Sequence, residues 1–200
     1  MRDLETDHIG EIKDRLAAAP LKTALPQTIG DRSVAGGLWR FFSASFPPFG
    51  GITAWNSATL WRGAWPWLSP DLFFFGEDVF GNQLTLTPGH ENAFLWNHES
   101  GELVDLLLDP ATLLETTIQS GIDWIDFYLP QMLAVAKAKL LDVPEGFHLH
   151  WTQPLILGGA VHVTNTSVLE GVSHLKSHGE LWAQLRDLPP GTEVVVKPKK

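Results

Sequence analysis

The stretch Phe73-Phe74-Phe75-Gly76-Glu77-Asp78-Val79-Phe80-Gly81-Asn82-Gln83 constrains the fold more than any other part of the chain. Three consecutive aromatics running into a glycine predict a buried strand, because each ring removes a large apolar area from water. Gly76 and Gly81 mark places where the backbone turns or is closely approached. Short strand patterns follow at Leu84–Thr87, Ala93–Trp96 and Leu103–Leu108. They are separated by Gly81-Asn82, Pro88-Gly89-His90 and His98-Glu99-Ser100-Gly101, all of which suit tight turns. Regular spacing and short links predict an antiparallel meander.

Around the meander the hydrophobic period changes to a helical one. Ile9, Ile12 and Leu16 are helically spaced up to Pro20, and Leu38, Phe41 and Phe42 suggest a short aromatic helix over about Val34–Ser45. Asp109 suits an N-cap and Pro110 a first helical position, which predicts a helix to Ser120. A second helix is expected over Gln131–Leu141. Beyond Gly146 the pattern returns to strand in Phe147–Trp151, Pro154–Gly159 and Val161–Thr164. Ser177-His178-Gly179-Glu180 then reads as the capping box of a last helix, with Leu181, Trp182, Leu185 and Leu188 as its buried stripe, and Glu193–Val196 as a final strand. The sum is an α+β fold, a mainly antiparallel sheet with helices packed against it. One domain over 1–200 is expected, with 1–20 as a peripheral N-terminal helix and 146–200 as a C-terminal strand–helix–strand extension.

Composition excludes several classes. Hydrophobic residues at 44% and charged residues at 18% describe a globular chain of 200 residues rather than a disordered one. With no cysteine there is no disulfide, thiolate metal site or cysteine nucleophile. The net charge of −9, reached despite the lysines of the Lys197–Lys200 tail, argues against nucleic acid or an anionic membrane as partner. It fits a basic protein partner, or solubility alone. No signal peptide or membrane-spanning stretch stands out, so the expected location is cytoplasmic.

Candidate sites are few. Trp55, Trp61, Trp65 and Trp67 share one parity, so an unbroken strand would place four rings on one face for a sugar, a base or a partner side chain. The same face could instead pack on helices. His148 and His150 share a strand face and His162 lies on a neighbouring segment, a set that could ligate zinc in a metal-dependent hydrolase. Alternation predicts that His148 and His150 face solvent, and no carboxylate stands at ligand spacing. His174 and His178 are four apart, but the capping box would leave His174 ahead of the helix. Glu77 and Asp78 are adjacent on a strand, point to opposite faces, and suit turn or partner-binding roles better than acid–base catalysis. Nucleophile-elbow, phosphate-loop and dinucleotide motifs are absent. The residues alone define no catalytic site, no metal site and no cofactor.

The series Phe75-Gly76-Glu77-Asp78-Val79-Phe80-Gly81-Asn82-Gln83, then Ala93-Phe94-Leu95-Trp96, then Asn97-His98-Glu99-Ser100-Gly101-Glu102 resembles the SUKH superfamily of immunity and regulatory proteins. Gln153–Gly159, Asn165 and the Leu181–Leu185 helix before Pro189-Pro190-Gly191-Thr192 are similar to the C-terminal part of type VI secretion immunity proteins. The resemblance covers about the middle third of the chain. It implies a non-catalytic α+β protein that binds and neutralises a toxin, possessing no cofactor. On this reading Trp55, Trp61, Trp65, Trp67, Glu77 and Asp78 are the candidate partner-binding residues, and the partner is a basic toxin domain. The alternatives remain the histidine-based hydrolase and a small-ligand or carbohydrate binder using the tryptophan face.

Overall fold

The structure is a computed structural model, and it describes residues 37–42, 49–120, 130–139, 143–189 and 191–194. A five-stranded antiparallel sheet runs in chain order: β1 (Trp39–Phe41), β2 (Phe73–Asp78), β3 (Gln83–Leu86), β4 (Ala93–Trp96) and β5 (Leu103–Asp105). The expected meander forms, and the fold is α+β. Its helices are α1 (Gly51–Trp55), α2 (Pro110–Ser120), α3 (Pro130–Lys139) and α4 (Gly171–Leu185). A separate antiparallel pair, β6 (Phe147–Trp151) with β7 (Thr166–Glu170), precedes α4.

The sheet is a middle layer, which explains why β2, β3 and β4 are buried throughout. Phe73, Phe75, Leu84, Ala93 and Leu95 join one core with Leu113 and Leu114 of α2, Val135 and Ala136 of α3, and Leu149 and Trp151 of β6. Phe74 and Trp96 join a second core with Trp55, Trp61, Trp65, and Val172 and Leu175 of α4. β6 docks on the turn after β2: Leu149 N–H donates to Val79 O at 2.8 Å, and Trp151 stacks on Phe80 at 5.4 Å. The register shifts between Phe74 and Gly76, where β2 carries a bulge against β3.

Several expectations are corrected. Within the helix anticipated over Val34–Ser45, Trp39–Phe41 is instead a strand paired to Gly76–Asp78 and buried on both faces, so ladder pairing overrides the helical spacing. The tryptophan region contains no strand: α1 is followed by turns and a 3₁₀ turn at Arg62–Ala64, so shared parity aligns no rings. Leu155–Leu157 and Val163–Asn165 are 3₁₀ turns rather than strands. α4 begins at Gly171, capped by Glu170, whose carboxylate accepts from Ser173 N–H at 2.7 Å, six residues before the anticipated capping box. The anticipated N-terminal helix over Ile9–Ala19 lies outside the described residues. No helix among the described residues is long and apolar enough to cross a membrane.

Candidate functional site

The longer α4 changes what its histidines can do. His174 and His178 now sit one turn apart on the same buried helix face. They meet His98 from the β4–β5 turn and His148 and His150 from β6. Ring centroids are 4.8 Å apart for His98–His174, 4.6 Å for His98–His178, 4.9 Å for His174–His178 and 5.3 Å for His148–His174. The sheet supplies the support. His98, His148, His174 and His178 are buried, whereas His150 is partly exposed.

Two hydrogen-bonded chains hold the nest, and both begin in the Glu77–Gln83 segment. In the first, Trp55 Nε1–H donates to Gln83 Oε1 at 2.7 Å, and Gln83 Nε2–H donates to Glu77 Oε2 at 3.2 Å. His148 Nε2 approaches the same oxygen at 3.0 Å, a short contact with poor alignment, and Arg40 Nη1 lies 3.5 Å from Glu77 Oε1. His148 Nδ1 is 3.0 Å from His174 Nδ1. In the second, Asp78 accepts from the N–H groups of Phe80 and Asn82 and, at 2.7 Å, from Asn82 Nδ2. Asn82 Oδ1 then faces His98 Nδ1 at 3.1 Å.

Gly81 lets these chains close. Its φ is +90°, and a Cβ there would sit 2.6 Å from His148 Nδ1 and 3.1 Å from His174 Nδ1. Any side chain at this position would displace the pair of rings.

Glu99 completes the enclosure. Its Oε1 lies 3.3 Å from His178 Nε2 and 3.9 Å from His98 Nε2, and its Oε2 accepts from Leu155 N–H at 3.0 Å. Burial pushes its carboxyl up to about 7, against the opposing pull of the Ile156 and Leu155 N–H groups. Burial also pushes Glu77 up, but His148, Arg40 and Gln83 outweigh it and hold that carboxyl below its usual range. Burial keeps His98 and His174 well below the ordinary histidine range, reinforced by the neighbouring imidazoles. His178 falls to about 4, again through burial first.

The residues singled out in the sequence are placed differently from expectation. Trp55, Trp61 and Trp65 are 0%, 0% and 2% exposed, and only Trp67 is partly exposed, so no ring platform forms for a partner or a sugar. Glu77 and Asp78 are 0% exposed and anchor the two chains from within, so neither presents its carboxylate to a partner at the surface. His148 and His150 do share a strand face, but α4 covers it, which reverses the predicted solvent exposure of His148. His162 does not join them. It is exposed, and its Nδ1 accepts from Thr164 N–H at the head of the Val163–Asn165 turn. The residues passed over as site candidates were His98, Glu99, His174 and His178. The available signal was the spacing of Val172, His174, Leu175, His178, Gly179 and Trp182, a helical stripe once histidine and glycine are allowed inside.

No family model and no curated protein matches the chain. Among solved structures, the crystal structure of Atu4351 from Agrobacterium tumefaciens is similar at 16% identity, covering 72% of this chain and 67% of that one, with a TM-score of 0.49. A likeness at that level carries no argument about function.

Proposed function

We propose that this is a non-catalytic protein-binding module, an immunity protein of the kind its sequence resembles, and that it neutralises a basic toxin domain through the exposed edge of β5. The observation that carries this reading is Leu107. It is held at φ +56° with its side chain 78% exposed, an unfavourable backbone for a leucine and an unfavourable place for its side chain. Asp105 fixes that conformation, since its Oδ1 accepts from Leu107 N–H at 2.8 Å. Leu103 and Val104 are also exposed, and among the described residues β5 pairs only with β4, leaving a free strand edge. Glu102, Asp105 and Asp109 surround this apolar strip with negative charge, which suits a basic partner. An edge strand offers backbone hydrogen bonds, and Leu107 offers an anchor.

The test is calorimetric titration of the full chain with the product of the adjacent gene, at low and moderate salt. Tight binding that weakens with salt is expected, with a loss of about tenfold or more for Leu107→Ala. Undiminished affinity in Leu107→Ala and Val104→Lys would remove β5 as the surface. No association with the product of either flanking gene would remove the immunity reading.

A further inference from the structure

We propose that His98, His174 and His178, with Glu99, form a closed interior site for a divalent transition-metal ion of the zinc class. The proposal concerns the interior and is independent of the β5 surface.

Buried ring nitrogens without hydrogen-bond partners point to this site, and the network sets proton positions where it defines them. Asn82 Nδ2 donates to Asp78, so its Oδ1 faces His98 Nδ1, which must be the donor. His98, with one proton, then has its lone pair on Nε2. A lone pair on His148 Nε2 would repel the Glu77 carboxylate 3.0 Å away, so the proton sits there. His148 Nδ1 and His174 Nδ1 lie 3.0 Å apart and share a single proton between them. His98 Nε2, His174 Nε2 and His178 Nδ1 are each buried with no hydrogen-bond partner among the described residues. Glu99 Oε1 is in the same condition.

A cation relieves all of it at once. One nitrogen from each of the three rings lies within 4.8 Å of the others. Tetrahedral zinc, with Zn–N bonds of about 2.0–2.1 Å, holds its nitrogens about 3.3 Å apart, so small side-chain rotations on α4 and the β4–β5 turn close the site. Imidazoles with a carboxylate select zinc, cobalt or nickel over magnesium or calcium, which take oxygen ligands. The supporting shell is in place too: His98 Nδ1 donates to Asn82 Oδ1, and His174 Nδ1 lies 3.0 Å from His148, whose Nε2 meets Glu77, so both rings are held in orientation. His98 and His174 are each 1% exposed and His178 is 4% exposed, a closed site that suits a structural ion rather than a substrate-accessible one.

The experiment is titration of the chelator-stripped full chain with Zn²⁺, followed by calorimetry and thermal melting, with Co²⁺ as a spectroscopic probe. One ion per chain, a higher melting temperature and the intense visible bands of tetrahedral Co²⁺ are expected. His178→Gln should weaken binding by about a hundredfold or more, Asn82→Ala by about tenfold to a hundredfold, and His162→Ala not at all. No stoichiometric uptake would overturn the proposal, as would unchanged affinity in His178→Gln. If that variant does not fold, the wild-type Co²⁺ spectrum decides, since weak octahedral bands place the ion elsewhere.

Discussion

Gly179→Ala tests how α4 is seated. In an exposed helix the change would stabilise by about 1 kcal/mol, since glycine is the weaker helix former. Here a Cβ would lie 2.5 Å from Ala64 O, 2.8 Å from Ala64 Cβ and 2.8 Å from Trp65 Nε1. These atoms belong to the Arg62–Ala64 turn and a buried ring, neither of which yields as a flexible side chain would. The helix must therefore lift. Overpacking of this kind costs about 1–3 kcal/mol. Lifting also stretches the 2.8 Å bond from Trp65 Nε1 to Leu175 O, and a buried indole N–H left without its acceptor costs about 1–3 kcal/mol more. The penalties outweigh the propensity gain, for a net loss of about 2–3 kcal/mol, or a fall in Tm of roughly 5–10 °C for a chain of this length. Urea denaturation followed by tryptophan fluorescence reads both the stability and the environment of Trp65. Lys176→Ala, on the exposed side of the same helix, should change little. A Gly179→Ala protein as stable as the parent or more so would refute the seating of α4 on the Arg62–Ala64 turn.

Asn56→Ala removes a side chain that donates to Phe74 O at 2.7 Å and accepts from Phe74 N–H at 2.8 Å; a loss of about 2–3 kcal/mol in urea denaturation is expected, and a neutral result would mean that water replaces it. Glu77→Ala leaves the Arg40 guanidinium and the His148 ring facing no carboxylate in the interior, so a loss of about 3–5 kcal/mol is expected, visible as a fall in the urea midpoint. The metal-free protein should be labile to acid: His98, His174 and His178 have folded values below their unfolded value of 6.5, so their contribution is complete above that pH and is lost as pH falls below it, about 3 kcal/mol of it from His178 alone between 6.5 and about 4. Glu99 works the other way, its burial penalty relaxing as pH falls through about 7, so melting at stepped pH should show a net loss smaller than the three histidines alone would give.

The meander and the two middle helices were legible because turn residues and apolar period agree there. Pro88-Gly89 and Asn97–Gly101 punctuate strands that the ladder then aligns, and Asp109 caps α2 by accepting from Ala111 and Thr112 N–H. β1 was hidden by its partner: Trp39–Phe41 is a strand because β2 offers it an edge, a non-local fact that no spacing records. The exposure predicted for His148 failed for a related reason. Alternation identifies two strand faces, but it does not say that a helix will cover the second one. α4 was shortened because Ser177-x-x-Glu180 fits a capping box, whereas Glu170 supplies the real cap and Ser177 is mid-helix, its hydroxyl donating to His174 O. With the helix cut there, the His174–His178 pair could not be seen as one face, and the site was lost with it.

The Phe73–Gln83 stretch is therefore more than a buried strand with a turn. Its aromatics serve two cores, and its polar residues, Glu77, Asp78, Asn82 and Gln83, are all buried and all spent on orienting histidines or their supports. A polar network of this depth is costly unless every member is satisfied. The two chains run from Trp55 and Gln83 to Glu77, and from Asp78 through Asn82 to His98. Among the buried atoms left without a hydrogen-bond partner are His98 Nε2, His174 Nε2, His178 Nδ1 and Glu99 Oε1. Left bare, each such group costs about 1–3 kcal/mol, a sum comparable to the whole stability of an ordinary domain. An ion converts the same groups into a cross-link between α4 and the β4–β5 turn, which the Trp182 Nε1–H bond to His98 O at 2.9 Å already joins. That turn leads directly into β5, so the interior that fixes His98 and Glu99 also fixes the start of the strand edge proposed to meet the partner, and an edge held rigid in advance loses less entropy on binding.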